Sequence, residues 1–332
     1  MGDFKMKKLS FIIPLYNSAQ WLEKCLYSVL NQDLPESEVE IICVNDGSPD
    51  NSADLAREIA KDHPSIVVID QENQGPSGAR NTGMRHATGK YLCFVDPDDF
   101  VEPNVYGGLI KQMEEQQLDM LRFNYQIVNE HYEVIPKRPF ELKFDYTPQL
   151  MTGTQFLSER LDIACNIWRY IYRTEIIIKN NIWCYVGDYY DDTPWLPLVL
   201  MKAERMNICD TVVYDYLERS DSLVNAKSPK AVQRKIDGSF MLLDLLQDQM
   251  KVIKDQSILD WYHRMIAHSV ISLLTMIAAH KFDRRKEYMS KLKNYNLFPL
   301  SANRTSKKNA RKIKLINISP ILYIRLIHLK NK

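Results

Sequence analysis

The sequence predicts an α/β protein: a mostly parallel sheet with helices on both faces, followed by a helical C-terminal extension. Three observations carry this. Short apolar runs alternate with amphipathic helical stretches through the first hundred residues, the order that builds parallel sheets. Polar, turn-forming clusters fall where the apolar runs end, at Tyr16-Asn17, Asn45-Asp46-Gly47-Ser48 and Asp96 to Asp99. From about 230 to 292 the apolar residues recur with helical spacing throughout.

Residues 9–13 read as a buried strand ending at Pro14. Asn17 or Ser18 caps a helix over 19–31, whose Leu22, Leu26, Val29 and Leu30 share a face. A strand over 40–44 stops at the turn formers Asn45 to Asp50, and a helix with Ser52 as its cap buries Leu55, Ala56, Ile59 and Ala60 before Pro64. Residues 66–69 form a third strand, 71–78 a Gly-bearing loop, 77–87 a short helix closed by Gly89, and 91–95 a fourth strand. Beyond it come a helix over 103–117, a strand over 119–128, an irregular stretch over 130–150, helices over 154–161 and 194–204, and an alternating strand over 211–217.

Hydrophobic residues make up 45% of the 332 residues, enough to fill a core, and a net charge of +1 makes no case for a nucleic-acid partner. The six cysteines are scattered with no C-x-x-C pair, and Cys43 and Cys93 sit inside apolar runs, as buried reduced thiols of a cytoplasmic protein do. No apolar run approaches the roughly 18 residues of a membrane span. The lysines before Leu9 to Pro14 resemble a signal peptide only faintly, because the apolar part is short and contains proline. Met6 stands where a myristoylation site after Gly2 needs Ser or Thr.

The stretch Phe94-Val95-Asp96-Pro97-Asp98-Asp99-Phe100 crowds carboxylates at the end of a buried strand. Their mutual repulsion needs a cation or polar ligand to offset it, and hard oxygen donors of this kind hold Mg2+ or Mn2+. A solvated Pro/Asp turn is the alternative. In parallel sheets ligands bind at the carboxyl ends of the strands, where all three polar clusters fall. The tail differs from the rest: from Arg304 to Lys332 there is no Asp or Glu, and the basic cluster Lys307, Lys308, Arg311, Lys312 and Lys314 precedes the apolar run from Ser319 to Ile327. Such a segment is a candidate for peripheral contact with an anionic membrane; a solvated basic helix docked on the body is the other reading.

In sequence order the chain carries Phe11-Ile12-Ile13-Pro14-Leu15-Tyr16-Asn17, Val44-Asn45-Asp46-Gly47-Ser48-Pro49-Asp50-Asn51-Ser52, Gly78-Ala79-Arg80-Asn81-Thr82-Gly83, Gly89-Lys90-Tyr91 and the Asp96 to Asp99 cluster. Then come Trp168 to Arg173, Tyr190-Asp191-Asp192 and Tyr214 to Ser220. Over residues 8–225 this ordered set resembles a family 2 glycosyltransferase of the bacterial cell-surface polysaccharide type. The resemblance implies the GT-A fold, a Rossmann-like sheet. It divides the chain into a catalytic domain over 1–225, with a nucleotide-binding half over 1–102 and an acceptor-side half over 103–225, and a helical extension over 226–332. It implies inverting transfer of a sugar from a nucleotide-diphosphate donor, a UDP-sugar first, to an acceptor hydroxyl on a glycan or lipid-linked glycan, at the inner face of the plasma membrane if the tail touches it.

Residue by residue, the resemblance sets Pro14, Tyr16 and Asn17 at the nucleotide, Asp46 on a base N–H, Arg80 on the base or diphosphate, and Asp96 on the ribose. Asp98, with Asp99 as second candidate, is implied to hold a divalent metal, Mn2+ or Mg2+. Two departures stand out: Asn45-Asp46 replaces the usual Asp-Asp, and Asp191-Asp192 replaces Glu-Asp. An inverting displacement needs a base on the acceptor side, and Asp192 is the first choice, then Asp191, with Asp188 a weaker third. The alternative for Asp191-Asp192 is a cap on the helix near Pro194. Other classes fit less well. The first turn lacks G-x-G-x-x-G, no G-x-x-x-x-G-K-[ST] occurs, His263 and His268 lie off one helix face, and the Gly-rich, Arg-bearing loop of a nucleotidyltransferase is missing. A catalytically inactive sugar-nucleotide-binding or scaffold protein of the same fold is the alternative from outside enzymology.

Overall fold

The computed structural model describes residues 7–136, 144–161, 164–187, 192–219, 228–279, 284–303 and 305–330. The chain divides into two compact units, one of Met1–Arg160, Ala164–Gly187 and Asp191–Asn225, the other of Leu161–Ile163, Asp188–Tyr190 and Ala226–Lys332.

Among the described residues the first unit is built on a nine-stranded sheet. Its elements in chain order are β1 (Leu9–Leu15), α1 (Ala19–Leu30), β2 (Val39–Asn45), α2 (Ser52–Ala60), β3 (Ile66–Asp70), α3 (Gly75–His86), β4 (Tyr91–Phe94), β5 (Phe100–Val101) and α4 (Tyr106–Glu115). Then follow β6 (Met120–Val128), β7 (Val134–Ile135), α5 (Gly153–Gln155, continued by a wider π-helical turn to Arg160), β8 (Tyr170–Arg173), α6 (Thr174–Lys179), α7 (Asp192–Leu200) and β9 (Met206–Leu217). The strand order is β3-β2-β1-β4-β8-β6-β9-β5, with β7 on β6. β1 pairs in parallel with both β2 and β4, Ile12 lying level with Ile42 and Phe94. The chain therefore leaves β1 toward one side and returns on the other. In open sheets of this kind such a switch point, at the carboxyl ends of the strands, is where a ligand crevice forms.

Strand β8 runs antiparallel to both β4 and β6 and joins the parallel half to the rest. The apolar strands are buried on both faces: Phe11, Ile13 and Leu15 pack with the α1 residues Leu22, Leu26 and Val29, and Ile12 faces α3. A Cβ at Gly83 would stand 2.4 Å from Ile12 Cγ2, so glycine there sets how closely α3 rides on β1.

Some elements differ from the sequence expectation. Strand β1 continues through Pro14, which pairs with Val44. α3 begins at Gly75, because Pro76 starts a helix well and the positive φ of Gly75 makes the turn. β9 is longer than 211–217, since Met206–Ile208 already pair with Met120–Arg122. The cap assignments also shift. Neither Ser18 nor Ser52 caps its own helix; Asp50 serves both helices instead.

The second unit is helical: α8 (Pro229–Met250), α9 (Gln256–Ala279), α10 (Arg285–Asn294), α11 (Lys307–Ile318) and α12 (Pro320–Lys330). Ser228 caps α8 with Pro229 in the first turn, and Ser306 caps α11. Helices α8 and α12 pack on α9, where Thr275 Oγ1 meets Tyr323 Oη at 2.9 Å. All six cysteines of the chain are buried and none forms a disulfide. Among the described residues no helix is long and apolar enough to cross a membrane.

Candidate active site

The crevice begins with the loops after β1 and β2, which are tied to each other. Asn17 takes a left-handed φ of 52°, which asparagine tolerates, and its N–H donates to Ser48 Oγ at 2.7 Å. Asp50 Oδ2 accepts from Ala19 N–H at 2.9 Å, while Oδ1 takes the Ser48 hydroxyl and the Ser52 N–H. Burial opposes ionisation of Asp50, but the hydrogen bonds from Ser48, Ser52 and Ala19 outweigh it and draw the carboxyl down to about 2. One permanently charged carboxylate thus caps α1 and fixes α2. Tyr16, at the rim, is 53% exposed and offers a ring face; Pro14 is buried within β1.

Asp46 directly follows β2 and is buried. Its Oδ1 accepts from Gln71 Nε2 at 2.7 Å and Gln74 N–H at 2.8 Å, which leaves Oδ2 for a further donor. Gly47, with φ of 65°, turns the chain immediately after it.

Helix α3 brings Arg80 and Asn81 under the crevice. Asn81 acts like a backbone group, donating to Cys184 O at 2.9 Å and accepting from Cys184 N–H at 2.8 Å, so the 182–187 segment is held to α3. Arg80 is buried, donates to Asp96 Oδ1 at 2.7 Å and lies 4.0 Å from Asp192 Oδ1. Asp96 follows β4 and Asp192 opens α7, so one guanidinium gathers carboxylates from two distant parts of the chain. Asp192 Oδ2 also accepts from Ile167 N–H at 3.4 Å. Asp191 and Asp188 lie outside the described residues.

The acidic cluster after β4 separates by environment. Asp99 is buried, and both its oxygens are used, Oδ2 by the Tyr214 hydroxyl at 2.7 Å and Oδ1 by Leu217 N–H at 2.8 Å. Burial first, then the charges of Asp98 and Asp96, push its carboxyl well above the usual range. Tyr214 Oη also accepts from Asp96 N–H at 3.0 Å, so a single hydroxyl clamps two residues of the cluster. The Tyr214 ring stacks on Trp168 with centroids 4.2 Å apart. Asp98 remains partly exposed and pairs with Arg219, whose guanidinium lies 3.9 Å from the centre of the Trp21 ring.

A divalent cation fits here on the chemistry of the donors: Asp96 and Asp98 are hard oxygen ligands two residues apart and partly open to solvent. Asp99 is the poorer ligand because its oxygens are committed inside the fold. Among the described residues no three His, Cys, Asp or Glu side chains gather around one point. A cation on Asp98 would therefore complete its shell with oxygens of a ligand. Of the residues singled out from the sequence, the structure joins Arg80, Asp96 and Asp192 directly and sets Asp46, Tyr16 and Asn17 on neighbouring loops. Asp50, Tyr214, Arg219 and Trp21 organise the site without having been assigned a role. Asp50, Tyr214 and Arg219 lie inside the ordered motifs, which was the available signal; Trp21 does not.

Residues 10–174 match the family described as "Glycosyl transferase family 2". The uncharacterized glycosyltransferase EpsJ of Bacillus subtilis is 33% identical over 235 residues, covering 70% of this chain and 67% of EpsJ. The chain belongs to glycosyl transferase family 2. A shorter match within the family is the poly(ribitol-phosphate) beta-glucosyltransferase of Bacillus spizizenii, 41% identical over 96 residues, which are 28% of this chain and 15% of that protein. In structure, S. aureus TarS 1-349 in complex with UDP-GlcNAc superposes with a TM-score of 0.74 at 19% identity, covering 97% of this chain and 90% of that one. At that identity the likeness is one of fold, and it places this glycosyltransferase in the GT-A class.

Proposed function

We propose that this glycosyltransferase moves a sugar, with inversion, from a UDP-sugar to an acceptor hydroxyl in the synthesis of a cell-surface polysaccharide. The observation that carries the reading is the convergence of Asp96 and Asp192 on Arg80, close in sequence to the partly exposed, Arg219-paired carboxylate of Asp98, at the switch point of the sheet. The UDP-GlcNAc bound by TarS and the polymer named for the Bacillus spizizenii relative support the donor and acceptor classes.

In this reading Asp46 Oδ2 accepts a base N–H while Gln71 and Gln74 hold Oδ1, and Tyr16 packs on the base with Asn17 beside it. Pro14, buried in β1, shapes the floor. Asp96, anchored by Arg80 and by its N–H on Tyr214, meets the ribose. Asp98 would hold the divalent cation with Asp96 nearby and Asp99 as the buried support beneath; when bound, the cation supplies charge neutralisation to the departing diphosphate. Asp192 takes the acceptor proton as the acceptor oxygen bonds to the anomeric carbon. The bond from that carbon to the diphosphate breaks on the opposite face, and the electron pair leaves with UDP. Arg80 orients the Asp192 carboxylate, and Asp191 is the second choice for base.

The second unit supplies a membrane-facing surface. Ile318 and Leu329 are 70% and 67% exposed, and Ile321, Leu322 and Leu326 between them are exposed as well, beside the basic α11. An apolar ridge with lysines next to it suits the surface of an anionic bilayer and a lipid-linked acceptor at the cytoplasmic face. Leu322→Glu/Leu326→Glu should abolish sedimentation with anionic vesicles; unchanged sedimentation would remove the membrane from the reading. The donor site is tested by calorimetry with UDP, GDP, their sugars and Mn2+ or Mg2+. Micromolar, metal-dependent binding of a UDP species is expected. No nucleotide binding under any condition would leave an inactive scaffold as the better account.

A further inference from the structure

Among the described residues, two buried arginines have no acid paired with them. Arg122, on β6, and Arg169, just before β8, are only 3% and 5% exposed. Among the described residues neither lies within 4.0 Å of an Asp or Glu oxygen, and the Nε of each, buried, has no hydrogen-bond partner. Their contacts are aromatic. Arg122 donates to Tyr170 Oη at 3.0 Å and lies 3.8 Å from the centre of the Phe144 ring. Arg169 donates to Tyr146 Oη and lies 4.3 Å from the centre of the Tyr125 ring. The acid between those two covering rings, Asp145, turns away to Arg160, 3.2 Å distant.

Burial of an uncompensated cation is costly, and two adjacent ones repel as well. Burial first, then the charge of Arg122, lowers Arg169 to about 10. A fold that retains this cost holds a ready receptor for an oxyanion, because two guanidinium forks match its geometry. The location points to the molecule that brings the anion. Ile167, two residues before Arg169, donates its N–H to Asp192, the acceptor-side base of the proposed reaction. Tyr170, bonded to Arg122, packs against Tyr172 at 5.7 Å, and Asp192 is among the charges that Tyr172 feels.

We propose that Arg122 and Arg169 form an oxyanion subsite that binds a phosphate or carboxylate group of the acceptor, with Phe144 and Tyr146 occupying it through cation–π and hydroxyl contacts until the acceptor arrives. The assignment to the acceptor rests on the glycosyltransferase reading above. The substrate class follows: an acidic glycan or a phosphate-linked polyol, held so that its hydroxyl reaches Asp192.

The test is calorimetric titration of inorganic phosphate, and separately of malonate, into the full chain saturated with UDP and Mg2+, at ionic strength held with chloride. UDP fills the donor site, so it does not compete for the probe. Phosphate or malonate should bind the wild-type chain, at least tenfold more weakly to Arg122→Met and to Arg169→Met, and with intermediate affinity to Arg169→Lys. Phosphate alone would identify a phosphorylated acceptor, and malonate alone a carboxylated one. Neither binding better than chloride, or equal binding by the variants, would overturn the subsite. Methionine keeps volume and removes the unpaired charge; should either methionine variant fail to fold, the wild-type titration and Arg169→Lys still decide. If UDP does not bind, the donor reading fails, while the same phosphate titrations without nucleotide still judge the arginine pair.

Discussion

Tyr214→Phe tests whether the acidic cluster is clamped as described. The substitution removes one hydroxyl and nothing else. That hydroxyl donates to Asp99 Oδ2 at 2.7 Å and accepts from Asp96 N–H at 3.0 Å, and the ring is fully buried against Trp168. Two buried groups lose their partner, each at about 1–3 kcal/mol, so a loss of about 3 kcal/mol is expected, equivalent to roughly 6–12 °C in Tm for a unit of this size. The loss should also depend on pH. Asp99 is raised in the fold by burial, so its contribution is fully present at low pH and declines as pH rises through its folded value. The Tyr214 hydroxyl is one of the groups that offset this rise. Removing it raises Asp99 further, so the difference between variant and wild type is constant below the folded value of Asp99 in the wild type and widens only above it. The assay is thermal unfolding from pH 5 to 8, with metal-dependent UDP binding measured in parallel. A Tm within about 1 °C of wild type and unchanged UDP affinity would refute the clamp.

Other outcomes test other parts of the site. Asp192→Asn should keep UDP binding and lose transfer by about 10²–10⁴-fold; normal turnover in a coupled UDP-release assay would remove Asp192 as base. Asp98→Ala should lose the metal-dependent part of donor affinity, about tenfold or more by calorimetry; unchanged affinity would relocate the cation. Asp215, raised to about 6 first by burial and then by Glu102 against the pull of Gln126 and Lys24, stabilises the fold at low pH and loses that contribution as pH rises from about 4 through 6. Asp215→Asn should therefore gain on wild type by about 0.7–1.4 kcal/mol between pH 5 and 7.5 in urea unfolding, the lower figure allowing for solvent screening; a difference flat with pH would contradict the assignment.

The parallel half of the sheet was legible because each element carried its own signal. Ile41 to Val44 is an unbroken apolar run bounded by turn formers, and Leu22, Leu26 and Val29 repeat with helical spacing, so local pattern and tertiary role agree. Strands β5 and β8 lacked that property. Tyr170-Ile171-Tyr172-Arg173 has no flanking glycine and too few residues to show a period, and it becomes a strand only because β4 and β6 offer edges on both sides. Pro14 was read as a strand end, yet β1 runs on through it to Leu15.

The site divides along the same line. Asp46, Arg80, Asp96 and Asp98 sit at strand ends or on the following helix, where a sequence motif and its place in the sheet coincide. Tyr214 and Arg219 act on Asp96 and Asp98 from more than a hundred residues away, so no local spacing could assign them. Their effect is to give adjacent carboxylates different environments. Tyr214 and Leu217 draw Asp99 into the fold, whereas Asp98 stays partly exposed and pairs with Arg219, which is braced on Trp21. Three acids close together in sequence thereby take three environments: Asp96 is held by Arg80, Asp98 stays partly exposed beside Arg219, and Asp99 fastens the cluster to β9. The heptapeptide displayed the charge; the division of labour comes from a strand that pairs with its far end, which is why exchanging Asp98 and Asp99 in function would require rebuilding β9 rather than substituting either carboxylate.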